Sequence, residues 1–395
     1  MVSAAQTGGV LPPDLAWEIL LRVPAWSLCS CRAVCRSWRS LLSQPSFAKA
    51  HAGSRPGVIL ILAGAEDRID VVDYSGNVVR QINIPAAEEE GVPPLPLPTH
   101  PGPFYLFRAR KRTRVLDPDT GAVAALPIDD LDVPSREGTS WYAFEPCYTL
   151  WEGLSTGHPK VLRVATLTGN ARREQLCDVL TLGDDQRCWR RRPSPPICIT
   201  YELGAQGVTI QGLAYFMPDK DFPGFIMDAS RDGCRRAMEL MNSVASFNLE
   251  TEEWSPSTLR GPSAINTGTG KCRLKLAKLS STLVMMHFDR TLETVDLWFA
   301  TDLKKSLWVK KLSVPRELLL PYQQMSIHRG TKLLMALDDE RIVFSCIADA
   351  WTPEGPRWVT RIYDSRTKAC TDVSHRLGVR AIVGVYRGSF SMLGE

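Results

Sequence analysis

Large apolar residues recur at helical spacing from Leu11 to Phe47, and from about Val58 onward they alternate in short runs broken by turns. In the segment LAWEILLRV, Leu15, Trp17, Ile19, Leu20, Leu21 and Val23 are large and apolar, and only Glu18 and Arg22 are charged. Glu18 stands one helical turn before Arg22, an order that supports a helix by about 0.2–0.5 kcal/mol. The rest of the surface is apolar nearly all round, the pattern of a helix that something covers. Pro12 and Pro13 suit the entry to this helix, Asp14 its first turn, and Pro24 its end. Ser27 is the expected N-cap of a second short helix. Val34, Cys35, Trp38, Leu41 and Leu42 recur at helical spacing in a third, with Arg32, Arg36 and Arg39 on a solvated face. A unit of about 40 residues rarely supplies a sufficient core by itself. Its surplus apolar surface is therefore expected to bind a partner, the alternatives being docking on the rest of the chain or a targeting role.

Beyond Val58 the runs GVILIL, RIDVVDYSGNVVRQINIP and TRVLDPDTGAVAALP read as strands and hairpins. Two of them share a turn with Asp and Gly, at Val72-Asp73-Tyr74-Ser75-Gly76 and at Leu116-Asp117-Pro118-Asp119-Thr120-Gly121. In the second, Pro presets a turn position and Gly121 can take positive φ without steric cost. Between them lies a Pro-rich stretch, 86–103, expected as an exposed loop rather than a central strand. The style persists in ASFNLETEEWSPSTL, with an acidic turn from Glu250 to Glu253, and in VDLWFATDLKKSLWVKKLSV and WVTRIYDSRTKACTDV. Anchors at Tyr74, Asp117, Trp189, Trp254, Trp308 and Tyr363 are spaced by roughly 45–70 residues, comparable with propeller blades carrying loop insertions. The spacing predicts a degenerate β-propeller of unread blade number. A β-sandwich is the competing architecture.

Composition narrows the class. The chain has 395 residues, 44% of them hydrophobic and 23% charged, with a net charge of +4. That is room for the helical unit plus one large or two ordinary domains, and the small charge does not point to nucleic acid. No uncharged apolar run reaches about 18 residues, so no membrane span is expected. The N-terminus lacks the pattern of a cleaved leader. Eleven scattered Cys suit a reducing compartment, and the expected location is nucleus or cytoplasm.

Catalytic constellations do not emerge. Gly268-Thr269-Gly270-Lys271-Cys272 lacks the first Gly and the Ser or Thr of a phosphate loop, at Ile265 and Cys272. Cys29, Cys31 and Cys35 have no second ligand pair for zinc and are expected as buried small hydrophobes. His51, His100, His158, His287, His328 and His375 are dispersed, and no Gly-x-Ser-x-Gly elbow occurs. Two basic clusters, Arg108 to Arg114 and Arg190 to Arg192, are expected as solvated strand or loop, or as a face for an acidic protein. They lack the aromatic interleaving of a single-strand nucleic-acid surface.

The N-terminal stretch resembles an F-box, the adaptor-binding motif of cullin-RING ubiquitin ligases. The features that carry the likeness are Leu11-Pro12, Asp14-Leu15, Glu18-Ile19-Leu20, Arg22-Val23-Pro24, Ser27-Leu28, Arg32-Ala33-Val34-Cys35-Arg36-Ser37-Trp38 and Leu41-Leu42. Trp17, Cys29 and Cys31 depart from the usual pattern. Downstream, Val179-Leu180-Thr181-Leu182-Gly183 with Trp189, Gln211-Gly212-Leu213-Ala214-Tyr215, Ser246-Phe247-Asn248-Leu249-Glu250 with Glu253-Trp254, and Asp296-Leu297-Trp298 resemble the F-box-associated β-rich domain of plant F-box proteins.

The expected architecture is α+β and multidomain. A flexible 1–10 precedes a three-helix F-box over 11–52, and 58–395 forms a mainly β, propeller-like domain. The resemblance implies a non-catalytic substrate receptor of an SKP-cullin-F-box ubiquitin ligase. It would join an SKP-type adaptor, and through it cullin and RING subunits, to an unidentified target, with no metal or cofactor. Leu11, Pro12, Leu15, Ile19, Leu20, Pro24, Leu28, Val34, Cys35 and Trp38 are its adaptor-facing or motif-core positions. Two alternatives stay open: a propeller enzyme or small-ligand or glycan binder with the helical unit as anchor, and an adaptor-bound regulatory protein without ubiquitin transfer.

Overall fold

The computed structural model describes residues 11–23, 28, 30–44, 46–47, 50–51, 58–63, 68–72, 78–83, 95–96, 104–109, 112–117, 121–127, 142–143, 146–151, 158–168, 173–183, 188–200, 207–219, 239–265, 272–279, 281–289, 294–319, 332–336, 341–349, 357–372 and 379–386. Helix α1 (Pro13–Arg22) begins at Pro as expected and ends where Val23 turns extended, its N–H bonding back to the Leu20 carbonyl. Glu18 and Arg22 do pair, at 4.0 Å, but both are largely exposed. Leu28, Ser30 and Cys31 are helical, in line with a second short helix, while Ser27 and Pro24 lie outside the described residues. Helix α2 (Arg36–Leu42) starts later than the apolar spacing suggests, because Cys35 is extended, with φ −159° and ψ 166°. Val34 and Cys35 thus precede the helix instead of opening it.

The remaining chain is mainly β, and among the described residues it forms six sheets of four or five strands. In chain order the strands of the first are β1 (Val58–Ala63), β2 (Arg68–Val72) and β3 (Val78–Asn83). The second holds β4 (Leu95–Pro96), β5 (Tyr105–Ala109), β6 (Arg112–Leu116) and β7 (Val123–Ala125). The third holds β8 (Tyr142–Ala143), β9 (Cys147–Trp151), β10 (Lys160–Thr168), β11 (Arg173–Thr181) and β12 (Arg190–Arg192). The fourth holds β13 (Val208–Ile210), β14 (Leu213–Phe216), β15 (Ser243–Asn248), β16 (Glu253–Trp254) and β17 (Leu259–Arg260). The fifth holds β18 (Cys272–Leu279), β19 (Thr282–Asp289), β20 (Thr294–Asp302) and β21 (Leu307–Pro315), followed by the one-turn helix α3 (Arg316–Leu319). The sixth holds β22 (Lys332–Ala336), β23 (Arg341–Asp349), β24 (Arg357–Asp364) and β25 (Ala369–Asp372), and β26 (Val379–Tyr386) follows.

Each sheet is an antiparallel meander, and β26 returns to pair with β1 in the first. Neighbouring sheets touch in sequence: β26 against β4 and β5, β5 against β9, β9 against β13, β13 against β18, β18 against β22, and β22 against β26. That circuit is a propeller-like ring, closed by a strand from the far end of the chain. The sandwich alternative has no place in it. The Pro-rich stretch is not wholly loop, since Leu95–Pro96 forms a strand at one end of its sheet, the position where a missing N–H is tolerated.

Apolar layers fill the space between sheets. Leu162, Val164, Cys177 and Val179 of the third sheet meet Ala214, Phe216, Ala245 and Phe247 of the fourth. Val284, Met286 and Leu297 of the fifth meet Ile342, Phe344 and Cys346 of the sixth. Strands buried on both faces read as continuous rather than alternating, as in β10, where eight of nine residues are buried.

A turn recurs around the ring. Asn248 accepts the backbone N–H of Glu250 through Oδ1, Asp302 that of Lys305 and Asp364 that of Arg366, at 2.8, 3.0 and 2.8 Å. Four residues after each, Glu252, Ser306 and Lys368 take positive φ. Gly121 also takes positive φ four residues after Asp117, whose main-chain carbonyl accepts its N–H at 2.8 Å. At Asn248, Asp302 and Asp364 the side-chain bond organises the turn so that the next strand starts in register. The anchors Trp254, Trp308 and Tyr363 lie on strands of three different sheets, Asp117 and Trp189 stand next to strands of two others, and Tyr74 lies outside the described residues.

Candidate functional site

Helix α1 divides its apolar residues between two sides. Ala16 and Leu20, one turn apart, are buried with Leu28, Leu42 and Phe47, and Trp17, Leu21, Val23, Cys31, Trp38 and Leu41 pack around them. Trp17 meets Phe47 edge-on at 5.0 Å, and His51 stacks on Phe47 while its Nε2 lies 2.8 Å from the Val23 carbonyl. Phe47 and His51, one turn apart, clamp the exit of α1. In the sequence His51 is one of six dispersed histidines, and its four-residue spacing from Phe47 is the signal for this role.

On the other side the helix is unsatisfied. Leu11, Leu15 and Ile19, at intervals of four, are 40%, 51% and 44% exposed, and Val34 is 64% exposed. Fully burying each such side chain is worth roughly 1.5–3 kcal/mol, so the face has a strong tendency to acquire a cover. Of the ten predicted positions, Leu20 and Leu28 are core and Trp38 is half-buried against it. Leu11, Pro12, Leu15, Ile19, Val34 and Cys35 are at the surface, and Pro24 is outside the described residues.

Cys35 corrects the expectation of a buried thiol. Its Sγ is exposed and lies 3.0 Å from Ser37 Oγ, and that hydrogen bond, with the Trp38 backbone, lowers its pKa. Cys31 is half-buried, and desolvation pushes its thiol up. Cys29 lies outside the described residues. The arginine stripe is also more than solvated surface: Arg32 Nη2 donates to Ser43 Oγ at 3.1 Å and Arg39 Nε to the Arg32 carbonyl at 3.3 Å. These bonds tie the turn before α2 to the helix's own end.

The second basic cluster turns inward. Asp178 accepts both Nε and Nη2 of Arg163, at 3.2 and 2.9 Å, and Nε of Arg191 at 2.6 Å. Arg163 is completely buried and its guanidinium stands 4.2 Å over the Trp189 ring. Glu252, at its turn in the fourth sheet, draws Lys160 (2.8 Å), Arg190 (2.7 Å) and Arg192 from the third. Burial would push this carboxyl up, but the hydrogen bonds from Lys160, Arg190 and Arg192 outweigh it and hold the pKa at about 2. Arg190 and Arg192 thus join the third sheet to the fourth, which corrects their assignment to solvent or to a partner, while Arg191 stays exposed and pairs within its own sheet. Of the first cluster, Arg112 and Arg114 lie on β6 opposite β5, and Arg110 and Lys111 are outside the described residues. So is the candidate phosphate loop at 266–271. Among the described residues no group of three or more His, Cys, Asp or Glu is placed to hold a metal.

Residues 10–49 match the F-box domain. The chain is 23% identical over 326 residues to the F-box protein CPR1 of Arabidopsis thaliana, covering 78% of this chain and 73% of that one. It is 27% identical over 221 residues to the F-box/LRR-repeat protein At2g43260 of the same plant, covering 52% of this chain and about half, 49%, of that relative. Among solved structures, an oligogalacturonate lyase in complex with manganese overlays with a TM-score of 0.39 and 9% identity over 77% of this chain and 69% of that one, too slight a likeness to bear on activity.

Proposed function

We propose, from the N-terminal F-box domain and the plant F-box relatives, that the chain is the substrate receptor of an SKP-cullin-F-box ubiquitin ligase. The observation that carries this reading is the uncovered apolar side of α1 within the F-box match. Leu11, Leu15, Ile19 and Val34 dock on the SKP-type adaptor, and Leu20, Leu28, Leu42 and Phe47 hold the unit in the shape that presents them. The β-ring holds a target protein. Acceleration of ubiquitin transfer then comes from tethering, which raises the local concentration of target lysines at the charged conjugating enzyme. No acid, base or metal of this chain takes part.

The test is co-elution of the purified full chain with a purified SKP-type adaptor as one complex on size exclusion, followed by addition of the cullin and RING subunits. The reading expects a single assembled species that ubiquitinates a protein co-purifying with the ring. Failure of the adaptor to bind overturns it. Adaptor binding with no turnover of any co-purifying protein, and none that responds to cullin inhibition, transfers the chain to the adaptor-bound regulatory class.

A further inference from the structure

We infer that β21, the outer strand of the fifth sheet, binds an extended acidic segment of a partner protein by strand addition. In each sheet the strand at the outer end leaves one backbone edge unpaired among the described residues. The outer strands of the other five sheets are shorter: β3 has six residues, β25 four, β7 and β12 three each, and β16 and β17 two each. Strand β21 has nine. A long open edge is a template for another chain, and short strands are a usual way to avoid that.

The side chains on this edge favour an occupant. Leu307 and Val309 are 51% and 48% exposed, the only large apolar residues at that level among the described strands apart from Val78. They alternate along β21, so an incoming strand meets both on one face. Val309 sits opposite Phe299 of β20.

Charge selects which strand enters. Lys304, Lys305, Lys310 and Lys311 are all exposed around the same edge. Lys305 and Lys310 have carboxylate partners, Asp302 at 3.9 Å and Asp296 at 3.3 Å. Lys311 is the unpaired residue of a bulge and stands 5.0 Å over the Phe299 ring. Lysines on an edge repel a second copy of the same edge, yet they attract a strand bearing carboxylates. Apolar residues alternating with Asp or Glu are therefore the chemistry that fits, with main-chain bonds giving affinity and the alternating side chains giving specificity.

Naming the occupant as a target rests on the receptor reading, whereas the strand addition itself does not. The experiment titrates the full chain into a fluorescein-labelled eight-residue peptide of alternating Ile and Glu, read by fluorescence polarisation. Its Ile and Lys counterpart and two forms N-methylated on alternate amides, one for each peptide edge, are run beside it. Binding of the acidic peptide at least tenfold tighter than the basic one is expected, with loss on N-methylation of one edge and retention on the other. Val309→Asp should weaken it tenfold or more while the circular dichroism melt is unchanged, and Lys311→Glu should weaken it severalfold. Equal binding of both peptides, indifference to which edge is methylated, or full binding by Val309→Asp overturns the inference. So does dimerisation of the unliganded chain in sedimentation velocity that Val309→Asp abolishes, because the edge then belongs to a second copy. Adaptor capture by the same preparations separates the two readings: capture without peptide binding removes only this one, and peptide binding without capture removes only the receptor assignment.

Discussion

The N-terminal unit and the β-ring treat their side chains in opposite ways. The unit leaves Leu11, Leu15, Ile19 and Val34 in solvent and keeps Leu20, Leu28, Leu42 and Phe47 as a small core. The ring draws in not only its aliphatic residues but also Lys160, Arg163, Asp178 and Glu252, each satisfied by an internal partner. A small helical unit with surplus apolar surface gains by associating, while the ring meets its bonding needs from within. Among the described outer strands, β21 has the longest open edge and two exposed large apolar residues. On the proposed reading, the difference separates a region whose stability is coupled to an adaptor from one whose stability is its own.

Removing the charge of Glu252 should break the ring's side of this comparison most severely. Glu252→Gln leaves Lys160, Arg190 and Arg192 facing one another, and loss of one member of a buried ion network costs about 3–5 kcal/mol. Urea unfolding followed by tryptophan fluorescence measures it. The same carboxyl sets an acid dependence. Its folded pKa of about 2 lies below the ordinary value of 4.5, so its contribution is complete above pH 4.5 and is lost as pH falls from there toward 2. The Gln variant should flatten that part of the stability-against-pH curve.

Leu20→Ala should cost about 2–5 kcal/mol, but in the helical unit, which has few other buried residues to draw on. Limited proteolysis is expected to open the N-terminal unit while the ring's urea midpoint stays put. Added adaptor should restore protection, since a ligand that binds only the folded form stabilises it. The smallest effect belongs to the exposed pair Glu18–Arg22: Glu18→Gln should shift stability by less than about 0.5 kcal/mol and leave the melt within error.

What could be read from sequence followed from how local the cause was. Helix α1 is set by Pro at its entry and by spacing within one segment, and its two sides became distinguishable only once Leu28, Leu42 and Phe47 were in place against Leu20. That is why Leu20 and Leu15 looked equivalent. The later start of α2 was missed because apolar spacing does not report the extended backbone at Cys35. The ring's style was legible in its hairpins, but its number of sheets was not, since the first is completed by β26 from the other end of the chain. Glu252 was assigned to an acidic turn, and nothing near it indicates Lys160, 92 residues earlier. A better periodic signal was present in the Asp or Asn that precedes four of the described positive-φ residues by four, at Asp117, Asn248, Asp302 and Asp364. Trp and Tyr anchors blurred it by mixing positions within the repeat.

The most direct test is the affinity of a purified SKP-type adaptor for the full chain carrying Leu15→Asp and Ile19→Asp, measured by isothermal titration calorimetry beside the unaltered chain. Two carboxylates on the uncovered side of α1 should weaken binding at least a hundredfold, while the ring's urea midpoint and the helical circular dichroism signal stay unchanged. Undiminished binding by that variant would contradict the account, because the exposed side of α1 would then not be the surface that the adaptor covers.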